Sequence, residues 1–151
     1  MNRSMETFVA VVLLYAVVSF AVGIVSYVVG SWAQPHFLLD AAGDPIDTPG
    51  LAGLVRFQIV AGTLLLMPLF GGVVGLVAGS WFYDITPAIG VSAGGVFLGS
   101  VFFALAAIGL GSIGSGVNPI FSTMLLGGIV VSAFFSAIAA GLGAAIGTAQ
   151  H

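Results

Sequence analysis

Charge is what this sequence has least of. Its 151 residues include two basic and five acidic side chains, 5% of the chain, against about 25% in an ordinary soluble domain. Lysine is absent, so Arg3 and Arg56 are the only permanent cations. A soluble domain of this length must cover its surface with polar groups, and so few cannot do it. A water-soluble enzyme is therefore excluded, as is a nucleic-acid binder, which needs a basic footprint. No polybasic segment exists to engage anionic lipid headgroups. Cysteine is missing too, which removes disulfides, thiolate metal sites and cysteine nucleophiles.

What is present is apolar. Hydrophobic residues make up 60% of the chain and its mean hydropathy is +1.25, which excludes disorder and points to an integral membrane protein. Four long apolar runs stand out, at about 8–30, 54–79, 88–111 and 120–147. Each exceeds the ~20 residues that cross a ~30 Å hydrocarbon core as a helix. They are apolar on every face, whereas a membrane β-barrel needs short alternating strands. The sequence thus predicts an all-α membrane protein: four transmembrane helices in an antiparallel bundle. Residues 1–151 form one domain, with a polar extramembrane loop at 31–53. The first run is too long for the 7–15-residue core of a signal peptide and is read as a membrane helix.

Three helix starts share one logic. Thr48-Pro49, Thr86-Pro87 and Asn118-Pro119 each put a capping side chain before a proline, which loses nothing at the first helical position. The short connections after the second and third runs make helices two, three and four an up-down-up set. Trp32, Trp81 and Tyr83 fall at run ends as interfacial anchors, and Arg56 can snorkel to the headgroups. Four crossings put both termini on one side, which we expect to be cytoplasmic. The membrane is the cell membrane or a viral envelope derived from it.

Glycine is the chief packing signal, with 23 residues. Small residues let membrane helices approach closely, and a spacing of four keeps them on one face. Gly71, Gly75 and Gly79 form such a row in the second run, and the third carries Gly90 with Gly94 and Gly95 with Gly99. In the fourth run Gly128, Ser132, Ser136, Ala140, Ala144 and Thr148 are unbroken. These rows read as interfaces, within the chain or with a partner, and the fourth run is the expected partner face. Pro68 interrupts the second run; it frees the Leu64 carbonyl and suggests a kink or hinge, with Thr63 placed to satisfy the freed group.

Groups that carry chemistry are scarce. Asp40, Asp44 and Asp47 cluster in the loop, but their spacing fits no EF-hand, and His36 has no second donor beside it. The interiors of the four runs hold no ionisable residue of the kind that marks ion paths and proton relays. The sequence therefore implies no catalytic residue, metal or cofactor.

The stretch Pro68-Leu69-Phe70-Gly71-Gly72-Val73-Val74-Gly75, the short turn after it, the glycine-rich third run and the Gly/Ala-rich end at 139–147 resemble small four-helix membrane proteins of unknown function common in halophilic archaea. The resemblance covers roughly the last eighty residues and implies a fold and a habitat, with no activity to carry over. The expected function is that of a structural or accessory membrane protein, not an enzyme, which joins a homo-oligomer or another membrane subunit through its small-residue faces, a glycine-zipper style of packing. The alternative is a small oligomeric channel or transporter for neutral solutes, lined by Ser132 and Ser136.

Overall fold

The computed structural model describes residues 3–37, 49–111 and 123–150. They form four helices: α1 (Arg3–Phe37), α2 (Pro49–Gly79), α3 (Ile85–Gly111) and α4 (Thr123–Thr148). Each contains a stretch long and apolar enough to cross a membrane, and there is no strand among the described residues. A lipid-embedded backbone must satisfy its own N–H and C=O groups, and a helix does this along its interior, the carbonyl freed by Pro68 apart.

The helix limits differ from the sequence reading. α1 begins at Arg3 rather than at residue 8, and the Thr7 hydroxyl donates to the Arg3 carbonyl at 3.0 Å. The helix also runs on to Phe37, and α2 starts at Pro49, so both enter the segment expected as loop 31–53. Helix hydrogen bonds do not need lipid, so a helix continues past the apolar span until a breaker ends it. α3 starts at Ile85, three residues early. Asp84, not Thr86, takes the capping position, its carbonyl accepting from Ala88 N at 3.4 Å. Pro87 then falls in the first turn, where its missing N–H has no intrahelical partner to lose.

Chain direction follows from which residues meet. Tyr15 stacks edge-on to Phe70 with centroids 5.1 Å apart, while Val22 and Ser26 meet Thr63 and Leu64 further along, so α1 and α2 are antiparallel. α3 and α4 are antiparallel too, because Gly141 meets Ile89 while the Val96 side chain lies at the Ser136 level. Residues 80–84 reverse the chain between α2 and α3. The closest packing joins helices that run the same way. An offset of 84 residues relates Gly95 to Val11, Gly99 to Tyr15 and Phe103 to Ser19. An offset of 65 relates Ser132 to Met67, Ser136 to Gly71, Ala140 to Gly75 and Ala144 to Gly79. Going round the bundle the order is α1–α3–α4–α2, and the backbones of α1 and α4 do not approach each other among the described residues.

The core holds Val11, Tyr15, Met67, Val96, Phe103, Ile108 and Ala140. Phe82, in the turn, packs on Ala88 and Ala144. The outside is large and apolar: Leu65, Leu69 and Val17 are each about two-thirds exposed or more, a surface suited to acyl chains.

Candidate functional site

The α2–α4 interface is made of backbone. A Cβ added to Gly71 would lie 2.7 Å from the Ser136 carbonyl oxygen. At Gly75 and Gly79 it would overlap the carbonyls of Ala140 and Ala144. The arrangement is reciprocal, since a Cβ on Gly143 or Gly147 would overlap the carbonyls of Gly72 and Leu76. The hydrogen that glycine carries in place of Cβ points at a carbonyl in each case, the geometry of a Cα–H···O contact, worth about 0.5–1 kcal/mol. Gly143 and Gly147 were missed in the sequence reading, although their spacing of four was the available signal.

Hydroxyls complete this interface. The Ser132 hydroxyl donates to the Leu64 carbonyl at 2.6 Å, with Met67 Sδ at 3.6 Å. Leu64 carries the carbonyl that Pro68 deprives of its helical donor, and α2 passes through Pro68 as one helix. Ser132 from the neighbouring helix thus satisfies it. Ser136 donates back to the Ser132 carbonyl at 2.7 Å. Thr148 Oγ1 is 2.8 Å from the Ala144 carbonyl and 3.3 Å from that of Gly79. The small row of α4 from Ser132 to Thr148 is therefore turned towards α2 and buried.

The α1–α3 interface is built differently. Gly95 and Gly99 of α3 face side chains of α1, with an added Cβ 3.1 Å from Val11 and 2.8 Å from Tyr15. Gly23 returns the arrangement against Leu110 at 2.8 Å. Ser19 donates to the Phe103 carbonyl at 3.1 Å. Tyr15 is fully buried between the rings of Phe70 and Phe103. Its hydroxyl lies near that of Ser100, yet neither completes a hydrogen bond, and the same holds for the buried hydroxyls of Ser26 and Ser92.

The remaining candidates sit apart. Gly90 and Gly128 are exposed, with nothing within 4 Å of an added Cβ, and Gly94 meets only Phe8, at 3.7 Å. Trp81 and Tyr83 are exposed in the α2–α3 turn, where interfacial anchors belong. The side chains of Trp32 and Arg56, and the acids Asp40, Asp44 and Asp47, lie outside the described residues. Among the described residues no group of three His, Cys, Asp or Glu side chains comes together to hold a metal ion.

No family model, curated protein or solved structure matches this chain.

Proposed function

We propose that this chain is a structural or accessory integral membrane protein that acts by joining an assembly in the bilayer, with copies of itself or with another membrane subunit. The observation that carries this reading is the division of α4 into two faces. One is consumed by α2 through Ser132, Ser136, Ala140 and Ala144. The other points outward with Val130, Val131, Phe134 and Phe135 exposed, and begins at Gly127 and Gly128, where bare backbone is open. Close approach of a second helix needs such a gap in the side-chain surface. Internal packing then supplies a preformed unit, and association falls to the outward face.

Because the chain lacks cysteine, a Gly128→Cys variant in liposomes is a single-site probe. Oxidation should trap a disulfide-linked dimer, or a covalent link to a co-purifying subunit. A species that stays monomeric on oxidation, and by native mass measurement in nanodiscs, would overturn the proposal.

A second reading, a small channel for water or neutral solutes, is favoured by the unpartnered hydroxyls of Tyr15, Ser26, Ser92 and Ser100 inside the bundle. Ser132 and Ser136 do not support it, because both donate to backbone carbonyls. Flux of water or urea into proteoliposomes above that of empty liposomes, reduced in Ser26→Leu, is its expected signature. Equal flux in both removes it.

A further inference from the structure

We infer that α2 carries a latched hinge. Pro68 is the pivot, the part of the helix before it is a moving arm, and the Ser132 hydroxyl of α4 is the latch. A helix bends where its internal ladder is broken. Pro68 breaks it by removing the N–H that would serve the Leu64 carbonyl. Ser132 donates to that carbonyl from α4 at 2.6 Å, so the oxygen released at the pivot ties the arm to its neighbour.

The α2–α4 seam changes character at the pivot. After Pro68 it is backbone against backbone, with Gly71, Gly75 and Gly79 pressed on Ser136, Ala140 and Ala144. Val74 and Ala78 are buried there, and Phe70 packs on Tyr15. No side chain can yield in such a contact, so this half of α2 is fixed to α4. Before Pro68 the seam is open: a Cβ added to Gly62, Gly127 or Gly128 meets nothing within 4 Å. Leu65 and Leu66 are exposed. On the inner side, Leu64 borders a gap of about 10 Å³ against Val22 of α1 and Ala104 of α3. Close-packed side chains resist displacement, and an arm flanked by open space meets little of that resistance.

The motion has a defined shape. Met67, beside the pivot, is buried, with its Sδ 3.6 Å from the Ser132 hydroxyl, so displacement grows with distance from Pro68. Gln58 is exposed on the arm ten residues earlier, ~15 Å from the pivot at the helical rise. A bend of ~20° carries it about 5 Å. The seam between α2 and α4 then opens at the arm end while the glycine-locked end stays shut.

The test is pulsed electron spin resonance on the intact chain in phosphatidylcholine liposomes. The chain has no cysteine, so two introduced cysteines carry the only spin labels. Gln58→Cys with Val130→Cys spans the arm and α4, and Val73→Cys with Leu142→Cys spans the locked end; all four positions are exposed. Ser132→Ala should lengthen the arm distance by about 5 Å and leave the locked distance unchanged. An unchanged arm distance in that variant, or an equal change in both pairs, would overturn the inference. Should Ser132→Ala fail to fold, Pro68→Ala decides. It restores the helical N–H, so the arm distance should be distributed over a narrower range than in the otherwise wild-type chain. Equal widths in the two would mean that Pro68 is no pivot.

Discussion

Gly75→Ala is the sharpest test of the α2–α4 interface. The added methyl would sit 2.6 Å from the Ala140 Cα and 2.7 Å from its carbonyl carbon. These are backbone atoms, so no side chain can rotate out of the way. The Ala140 carbonyl oxygen lies closer still, so restoring ordinary contact near 3.4 Å means opening the interface locally by about 1.3 Å, more than the ~0.5–1 Å gap that already forfeits a quarter to a half of each dispersion well. The neighbouring glycine–carbonyl approaches at Gly71, Gly79, Gly143 and Gly147 loosen with it, at about 0.5–1 kcal/mol each if lost. The sum is about 2–4 kcal/mol. Gly→Ala also raises intrinsic helix stability by up to ~1 kcal/mol, which would blur a single measurement. Gly90→Ala cancels that contribution: it makes the same change in a helix, at an exposed glycine with open space around it. The assay is reversible unfolding of both variants in mixed detergent micelles, followed by far-UV circular dichroism. Gly75→Ala should fall about 2–4 kcal/mol below Gly90→Ala. Equal stabilities would refute the backbone-contact argument.

The other expectations rest on hydroxyls and on the exterior. Tyr15→Phe removes a buried hydroxyl that has no partner while keeping the ring against Phe70 and Phe103. It should leave stability unchanged or raise it by about 1–3 kcal/mol, and a clear loss in the same unfolding assay would mean that the hydroxyl is engaged. Ser19→Ala breaks the link to the Phe103 carbonyl and should lower stability by ~0.6 kcal/mol, the average for a hydrogen bond between membrane helices. Leu69→Ala, on an exposed face of α2, should change detergent stability by less than ~0.5 kcal/mol; a larger drop would show that this face is covered.

Much of the architecture was legible because the membrane simplifies the reading. Runs of twenty or more apolar residues without charge have one outcome in lipid, so all four helices could be located from composition alone. The glycine row 71–75–79 was legible for the same reason, since a spacing of four admits one geometry on a helix. Which faces meet was harder to read. Apolar residues show almost no preference for one side of any of the four helices, so periodicity does not say which side turns inward. Short connections set the up-down-up direction of α2, α3 and α4, but nothing in them says that α2 makes its tightest seam with α4. Gly90 and Gly94 looked equivalent to Gly95 and Gly99 until α1 was in place; the second row packs tightly on its Val11 and Tyr15 side chains, whereas Gly94 makes ordinary contact with Phe8 and Gly90 has nothing within 4 Å. The partner of the Leu64 carbonyl was missed because Ser132 is 68 residues away, and nothing local announces it.

A double-mutant cycle decides whether Pro68 and Ser132 form one device. Pro68 removes the N–H that would serve the Leu64 carbonyl, and Ser132 supplies a hydroxyl in its place. Ser132→Ala alone leaves that carbonyl without a donor in an apolar interior, and should lower stability by about 1–3 kcal/mol. Pro68→Ala alone restores the helical N–H, so Ser132 becomes one of two donors to a carbonyl with two lone pairs. In the double variant the helix serves the carbonyl by itself. The loss from Ser132→Ala should then shrink to the few tenths of a kcal/mol expected when both states leave every group satisfied. A coupling of about 1–2 kcal/mol would make the proline tolerable in α2 because α4 is beside it, and the Pro68–Ser132 pair part of the bundle's specificity. Strict additivity would refute that link, leaving Ser132 an ordinary interhelical contact and Pro68 a local feature of α2.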